Sequence, residues 1–363
     1  MGDAGLDVLL ARFHHSEVPL DHLRALIAAT PDPEQLHRIT EPVSVPDEAE
    51  AVSPPVAGDP EHARLDALGR AAIARGELAV VILAGGMATR FGSSVKALAP
   101  VLDGTALRFV DLKLADLALL GGIDTTLMTS FATDEALRDA LAEAPVHFAS
   151  QFISLRLNPD GSLFHDADGA RSPHAPGHGD LPAALRLSGT LDRLRAAGVR
   201  TVLISNVDNV GATLDPVLAA LHRELGGTIT VELVVKRAGD RGGIPVRRAD
   251  GSLALAETFR LPEGFPDDRF PLFNTNTLWV DLAALEGDHD WTWSVARKTV
   301  DGREAIQLER LVGELTWWNE TRYVKVPRDG PESRFVPVKD RDDLSAAQAQ
   351  ICEIWRKRLT TPA

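Results

Sequence analysis

Residues 78–84 read Leu-Ala-Val-Val-Ile-Leu-Ala, an unbroken apolar run that ends directly at Gly85-Gly86. A strand without polar positions must be covered on both faces, as in a parallel sheet that lies between two layers of helices. Similar runs recur at 125–128, 202–204 and 229–235, with helical patterns between them at 105–120, 134–143, 181–197 and 215–225. We therefore predict an α/β fold with a mainly parallel central sheet.

The remaining stretches are expected to surround this sheet. Residues 4–38 predict two short amphipathic helices, because apolar residues recur there at helical spacing. Residues 42–60 are polar and broken by prolines, so we expect a linker that does not pack as a regular element. Residues 61–76 predict a helix that ends at Gly76, and residues 239–272 predict loops and edge strands.

Composition excludes several classes of function. The formal net charge of −14 argues against broad nucleic-acid binding, which needs a basic face. Cys352 is the only cysteine, so an internal disulfide is impossible and a zinc cluster is implausible. We find no basic segment leading into an apolar one at the N-terminus and no run of about 18 apolar residues, so neither a secretion signal nor a membrane span is expected. A cytoplasmic protein is predicted.

The glycine-rich loop after the first run has the sequence Gly85-Gly86-Met87-Ala88-Thr89-Arg90-Phe91-Gly92. Two residues without a Cβ let the backbone turn sharply and approach a ligand, and the N–H groups of such a turn favour anions. Arg90 and Lys96 add two cations nearby. The spacing matches neither a Walker A loop nor a dinucleotide fingerprint. Taken alone, the loop could also be an ordinary tight turn between a strand and a helix.

Four further segments follow in order, and they carry a resemblance to a known family. They are Met128-Thr129-Ser130-Phe131-Ala132-Thr133-Asp134-Glu135, Pro176-Gly177-His178-Gly179-Asp180, Ser205-Asn206-Val207-Asp208-Asn209-Val210-Gly211-Ala212 and Phe273-Asn274-Thr275-Asn276-Thr277-Leu278-Trp279. With the glycine-rich loop, they resemble the UTP–glucose-1-phosphate uridylyltransferase family from about residue 78 to 345. The chain looks like a short, divergent member of bacterial type.

The resemblance implies a GT-A-like, Rossmann-type nucleotidyltransferase fold with the active site at the carboxyl ends of the strands, where ligands bind in open α/β sheets. It also implies a division into a helical N-terminal arm and linker (1–60), a catalytic domain (61–345) and a C-terminal helix (346–363). The eukaryotic relatives continue into a C-terminal β-helix, which we do not expect here, so the oligomeric state stays open.

Asp208 is the predicted metal ligand. It follows a buried strand, so its carboxylate should project into the cleft, and Mg²⁺ prefers oxygen ligands that it shares with phosphates and water. The alternative is an Asp that caps the next helix, with Asn209 or Gly211 shaping the turn.

The resemblance places the nucleotide against Gly85, Gly86, Met87, Ala88, Gln151, Gly177, His178 and Gly179. Gln151 would read the base edge, since an amide both donates and accepts and since its spacing to Arg156 matches the family. The alternative for residues 177–179 is a flexible turn that carries a surface histidine.

The predicted sugar-side residues are Asn209, Lys236, Gly243, Glu257 and Asn276. The predicted catalytic cations are Arg90 and Lys96, which would neutralise the departing phosphates, and Lys339, which would contact phosphate. Taken singly, each sugar-side residue could be an ordinary loop residue, and Lys339 could be a solvated surface charge.

The implied reaction joins a nucleoside triphosphate and a sugar-1-phosphate to give a nucleotide sugar and pyrophosphate, with UTP and glucose-1-phosphate as the expected substrates. Ala88 and Val95 depart from the family pattern of the loop, so an enzyme that uses GTP and a cyclitol phosphate, such as a valienol-1-phosphate guanylyltransferase, is the alternative. A GT-A glycosyltransferase with Asp340-Arg341-Asp342 as its metal motif and a non-catalytic nucleotide-sugar binder are weaker alternatives.

Overall fold

The computed structural model describes residues 3–86, 95–240, 242–266 and 269–360. Within these residues the α-helices are α1 (Asp3–Arg12), α2 (Leu20–Ala29), α3 (Pro60–Ala74), α4 (Phe109–Ala118), α5 (Asp134–Ala140), α6 (Leu181–Leu187), α7 (Thr190–Ala196), α8 (Pro216–Leu225) and α9 (Arg341–Thr360). Short 3-10 helices include Lys96–Leu98, His178–Asp180 and Val312–Trp317. None of the described helices is long and apolar enough to cross a membrane.

The strands of the described residues form one large sheet and three small ones. They are β1 (Val43–Ser44), β2 (Ala51–Val52), β3 (Leu78–Leu83), β4 (Asp124–Thr129), β5 (His147–Ser150), β6 (Ser154–Leu155), β7 (Pro173–His174), β8 (Thr201–Asn206), β9 (Ile229–Val235), β10 (Gly243–Arg248), β11 (Leu253–Glu257), β12 (Leu272–Asp281), β13 (Ser294–Val300), β14 (Arg303–Glu309) and β15 (Thr321–Lys325).

The large sheet has the strand order β2-β15-β9-β12-β8-β3-β4-β5. All its pairings are parallel except those of β12, which runs antiparallel to both β8 and β9. The predicted α/β fold with a mainly parallel sheet is therefore confirmed. The reversal at β12 was not predicted.

Strand β3 shows why the first apolar run has no polar positions. All its residues are buried, and they alternate between two cores. Val80 and Ile82 pack into the core on one face of the sheet, and Ala79 and Val81 pack into the core on the other face. The first core includes residues of α4, α8 and α9, and the second includes residues of α6 and α7. Helices thus cover both faces, as the sequence predicts.

Two predictions about the surrounding stretches were wrong. Residues 42–60 contribute β1 and β2, because both short strands find open edges, β1 beside β10 and β2 beside β15. The helix predicted over 181–197 is two helices, α6 and α7, since Gly189 adopts a left-handed conformation between them. The stretch 239–272 forms β10 and β11, which join β1 in a separate three-stranded sheet; strands were expected here, but only β11 is an edge strand, because β10 lies between β1 and β11.

The N-terminal helices pack on the small strands beside the large sheet. Leu6 and Phe13 are buried with Ile153 and Leu155, which lie in and next to β6. Val18, Leu23 and Ile27 pack with residues of β13 and β14. These two strands pair with each other as a hairpin that is separate from the large sheet. The arm therefore supports one wall of the region described next, while the predicted division into domains stays a prediction.

Candidate active site

A cavity of about 890 Å³ opens at the carboxyl ends of β3, β4, β5 and β8. These strands are parallel and adjacent, so the residues that follow them meet at one edge of the sheet. The predicted site residues that line the cavity are Gly85, Gly86, Lys96, Gln151, Gly177, His178 and Asp208. Segments more than a hundred residues apart in sequence thus come together where the resemblance expects them.

Gln151 and the glycine pair are in direct contact. A Cβ on Gly85 would lie 2.7 Å from the end of the Gln151 side-chain amide, so a side chain there would displace the amide. With its amide turned so that both ends are satisfied, Gln151 donates to Gly177 O and accepts from Gly86 N, each at 3.1 Å. Ser130 Oγ also donates to Gly86 O, at 2.7 Å. The beginning of the glycine-rich loop is therefore held against the strand ends beside it.

Met87, Ala88 and Arg90 lie outside the described residues, so their predicted roles stay predictions. The described part of the loop is Gly85-Gly86, and Gly86 has a φ of 99°, which favours glycine. The apolar strand and this left-handed turn agree with the strand-to-loop transition predicted from the sequence.

His178 lines the cavity with a defined tautomer. Its Nδ1 accepts a hydrogen bond from Val312 N at 2.9 Å, so in the neutral ring the proton is on Nε2. Burial lowers the pKa of His178 to about 4, and the ring is therefore neutral at pH 7. A neutral imidazole with a free Nε2–H can donate one hydrogen bond to an oxygen of a ligand.

The two glycines beside His178 are required by protein packing. A Cβ on Gly177 would lie 2.5 Å from Arg310 O, and one on Gly179 would lie 2.5 Å from Arg310 C. Arg310 is itself bound to the buried carboxylate of Asp180. Gly179 is not among the cavity-lining residues, so its place in the motif is explained by this close approach of two backbones.

Lys96 and Asp208 form the charged centre of the cavity. Lys96 Nζ lies 2.7 Å from Asp208 Oδ2 and 3.1 Å from Val338 O. Both side chains are about one-fifth exposed, so the pair is accessible from the cavity. The alternative role of Asp208 as a helix cap is not seen, because Asp215 accepts from Val217 N and Leu218 N at the start of α8.

The donor set fits a divalent cation that is shared with phosphates. Among the described residues, His, Cys, Asp and Glu side chains do not gather in groups of three or more that could hold a metal by themselves. Asp208 contributes one carboxylate to the cavity, and Mg²⁺ is commonly held by one or two carboxylates together with substrate phosphates and water. Asp208 thus has the chemistry to hold such a cation, and its role as the metal ligand stays a prediction.

The other predicted residues lie outside the cavity lining. Asn209 is 1% exposed, and its amide bonds to Arg334 O and Val336 N, which makes it a structural link. Lys339 is exposed, and its backbone N–H donates to Asp343. It also lies near Asp240. The pKa of the Asp240 carboxyl is lowered mainly by its hydrogen bond from Arg328 and, to a smaller extent, by the charge of Lys339. Lys236 follows β9 and also does not line the cavity.

The remaining sugar-side residues form a separate cluster near β12. Gly243 lies against Glu257, since a Cβ there would be 3.1 Å from Glu257 Oε1 and 3.2 Å from Asn274 Nδ2. Asn276 has a φ of 56° and donates to Asn206 Oδ1 at 3.0 Å. Because Asn206 lines the cavity, Asn276 is connected to it through one hydrogen bond.

The burial of Glu257 in this cluster can be tested through the pH dependence of the unfolding free energy. Burial raises the pKa of Glu257 to about 7, against 4.5 for an exposed carboxyl, although nearby Arg260 lowers it. The folded chain therefore keeps this proton at pH values where the unfolded chain has lost it, and stability declines as pH rises from 4.5 to 7. We expect the unfolding free energy of the wild type to fall by up to about 3 kcal/mol relative to Glu257→Gln across this range.

Urea unfolding at several pH values measures this difference. Glu263→Gln, at an exposed position on the following loop, is the matched control and should run parallel to the wild type. A constant difference between wild type and Glu257→Gln would contradict the raised pKa.

The sequence did not indicate the β13–β14 hairpin as part of the site. Lys298, Gln307 and Glu309 on this hairpin line the cavity, together with Arg156. With its amide turned, Gln307 accepts from Arg156 Nε and Nη2 at 2.8 and 2.7 Å and donates to Glu309. The hairpin residues do not alternate regularly between buried and exposed, so their sequence pattern does not indicate which cleft they face.

Asp340-Arg341-Asp342 does not form a metal motif. Asp340 Oδ1 accepts from Asp343 N at 2.9 Å and so caps the start of α9, while Asp342 is exposed on the first turn of that helix. Neither residue lines the cavity. The glycosyltransferase alternative therefore loses the sequence feature that supported it.

Comparisons with known proteins give a consistent result. A family model described as UTP–glucose-1-phosphate uridylyltransferase matches residues 55–362. The probable UTP–glucose-1-phosphate uridylyltransferase of Schizosaccharomyces pombe is 29% identical over 307 residues, and that of Saccharomyces cerevisiae is 30% identical over 305 residues. These alignments cover 77% and 76% of this chain and 60% of each relative, so the chain spans three-fifths of their length.

A solved structure supports the fold. The crystal structure of UDP-glucose phosphorylase from Trypanosoma brucei, which is 24% identical, matches with a TM-score of 0.73 over 94% of this chain and 77% of that chain. At this level of identity the match shows a shared nucleotidyltransferase fold.

Proposed function

Because the chain belongs to the UTP–glucose-1-phosphate uridylyltransferase family, we propose that it joins UTP and glucose-1-phosphate to give UDP-glucose and pyrophosphate. An oxygen of the sugar phosphate attacks the α-phosphorus of UTP, the bond from that phosphorus to the pyrophosphate oxygen breaks, and pyrophosphate leaves. No covalent bond to the protein is required. The names of the yeast relatives specify these substrates and so support the choice.

The observation that carries the proposal is the position of Lys96. Its ammonium lies between Asp208 and Val338 O, in a cavity that begins at Gly85-Gly86 and is bounded by Gln151 and Gly177. Phosphoryl and nucleotidyl transfers are catalysed mainly by positioning and by stabilising charge. A lysine and a carboxylate in one cavity supply such a charged centre.

Each residue then has a definite task. The Lys96 ammonium binds the triphosphate beside the Gly85-Gly86 turn, where the absence of a Cβ lets the phosphates approach the backbone. Gln151 and Gly177 bind the base. Neutral His178 donates from Nε2 to an oxygen of the nucleotide. Asp208 would hold Mg²⁺, and this cation would supply positive charge beside the phosphates. Arg90 is proposed to neutralise the departing phosphates, and Lys339 is proposed to contact the sugar phosphate.

Pyrophosphate release tests the proposal directly. We expect the chain to release pyrophosphate with UTP plus glucose-1-phosphate, to depend on added Mg²⁺, and to lose activity with EDTA. A panel of the four nucleoside triphosphates against several sugar-1-phosphates and a cyclitol phosphate measures the preference. Faster release with GTP and a cyclitol phosphate would replace the proposed substrates, and no release with any pair would reject the reaction.

A further inference from the structure

The loop that carries Asp208 is held through its carbonyl groups. Residues 210–213 present four consecutive carbonyl oxygens to three cationic side chains. Arg358 Nη2 donates to Gly211 O at 3.1 Å, with Nη1 3.5 Å from Val210 O. Lys113 Nζ donates to Ala212 O, and Arg334 Nη2 donates to Thr213 O at 2.8 Å. We call Lys113, Arg334 and Arg358 the carbonyl clamp.

The members of the carbonyl clamp come from three separate places. Lys113 is on α4, Arg358 is on α9, and Arg334 lies between β15 and α9. None of them lines the cavity. They converge from different elements on one loop, so the position of this loop depends on the packing of α4 and α9 against the sheet.

The clamp is largely buried, and acidic groups balance its charge. Lys113 is 5% exposed and Arg334 6% exposed. Arg334 makes two hydrogen bonds of 2.6 Å to Glu232, which is fully buried on β9 and also accepts from Trp279 Nε1 at 2.9 Å. Asp116 lies 3.5 Å from Arg358. Burying so many charges gives little stability compared with apolar side chains of similar volume.

The other side of the loop is bonded to the segment 334–338. Asn209 Nδ2 donates to Arg334 O at 3.1 Å, Val336 N donates to Asn209 Oδ1 at 2.9 Å, and Val338 N donates to Asp208 O at 3.1 Å. The carbonyl of Val338 is in turn an acceptor for Lys96. These bonds therefore set the distance between Asp208 Oδ2 and Val338 O, which both accept hydrogen bonds from Lys96.

We propose that Lys113, Arg334 and Arg358 are positioning residues that hold the Asp208 loop so that its carboxylate faces Lys96 at the distance required for nucleotidyl transfer. This proposal rests on the function proposed above. A displacement of about 1 Å in a reacting site can lower a rate by about 10²-fold. Losing one clamp residue should therefore lower kcat, while substrate binding by Gln151 and Gly177 continues.

The principal variants are Lys113→Met and Arg358→Met, because each keeps an unbranched side chain and removes the charge and the donor. We expect kcat for UDP-glucose formation to fall about tenfold or more, with KM for UTP within about threefold of the wild type. Each substitution leaves a loop carbonyl without its buried donor, and Arg358→Met also leaves the buried Asp116 without its cation, so the midpoint of thermal unfolding should fall. The kinetic constants are therefore measured at a temperature at which circular dichroism shows both variants to be folded. Arg358→Lys, which keeps one donor, should recover part of kcat.

Lys357→Met is the matched control. Lys357 is on the same helix and pairs with Glu332 at the surface, so the control removes the same charge without touching the loop. It should keep the wild-type kcat. If Arg358→Met and Lys113→Met both keep kcat within about twofold, the positioning role is overturned.

Hydrogen exchange separates this proposal from the proposed function. In the ligand-free chain, the amide protons of Asn209, Ala212 and Val338 are bonded within and next to the loop. Their exchange should accelerate about tenfold or more in Lys113→Met and Arg358→Met, and stay unchanged in Lys357→Met. Unchanged exchange in all variants would overturn the positioning role of the clamp, whether or not the wild type forms UDP-glucose. Absence of UDP-glucose formation by the wild type would reject only the proposed reaction.

Discussion

Asp208→Asn is expected to lower kcat for UDP-glucose formation by about 10²- to 10³-fold, the usual cost of removing one charged or hydrogen-bonding group at the site of transfer. The substitution keeps the shape of the side chain and removes its charge. Lys96 would then lose the partner that lies 2.7 Å from its ammonium, and the cation would lose its carboxylate ligand. The Mg²⁺ concentration for half-maximal activity should rise in the same variant.

Initial rates of pyrophosphate release across a Mg²⁺ titration measure both effects. Asp342→Asn is the control, since Asp342 is an exposed acid on the first turn of α9 and belongs to the alternative metal motif. Full activity in Asp208→Asn together with a large loss in Asp342→Asn would show that the metal is bound by Asp342 at the start of α9 and not by Asp208. Activity within a few fold of the wild type in both would exclude either carboxylate.

Lys96→Met is expected to lower kcat by a similar factor of about 10²–10³. The substitution keeps the length of the side chain, but it leaves Asp208 without its cation and removes the donor to Val338 O. If Lys96 binds the departing phosphates, KM for pyrophosphate in the reverse reaction should rise more than KM for UDP-glucose. Steady-state kinetics in the reverse direction therefore distinguish this role from a general loss of the site.

Lys325→Met is the matched control for Lys96→Met. Lys325 ends β15 and pairs with Glu48 at the surface, so its removal changes the net charge equally without entering the cavity. An equal rise in both KM values, with kcat unchanged, would show that Lys96 holds the nucleotide as a whole and has no special part in the departure of pyrophosphate.

Local sequence patterns predicted the parts of the site that follow directly from a strand. The run at 78–84 places Gly85-Gly86 at a strand end, and the run at 202–204 places Asp208 at another. Parallel pairing then brings both ends to one edge. Since this step needs only hydrophobic pattern and the geometry of parallel sheets, it can be made without coordinates.

The supporting contacts could not be predicted in this way. Asn209 looked like a sugar-binding residue, but both ends of its amide are bonded to residues 334 and 336, more than 120 positions away. Likewise, Lys113 and Ala212 are 99 residues apart. Such partners depend on how α4 and α9 pack on the sheet, and no short pattern encodes that packing.

The antiparallel strand β12 was missed for a related reason. Its sequence, Leu-Phe-Asn-Thr-Asn-Thr-Leu-Trp-Val-Asp, has polar residues in its centre, where the pairing with β9 shifts register between Asn274 and Leu278. These polar residues bond to the sheet and to each other, as Thr275 Oγ1 does to Glu232 O. A strand with internal polar partners does not show the apolar run that identified its neighbours.

The strand order of the large sheet affects how the chain can fold while it is being synthesised. Strand β9 is buried and apolar at Ile229, Val231, Leu233 and Val234, and its neighbours are β12 and β15, both later in sequence. A ribosome that adds about 5–20 residues per second needs on the order of ten seconds to pass from β9 to β15. Both edges of this apolar strand lack a partner until β12 is made, and one edge lacks a partner until β15 is made. Unpaired edges of this kind promote aggregation. Protection of the nascent chain by chaperones should therefore matter most between these two strands.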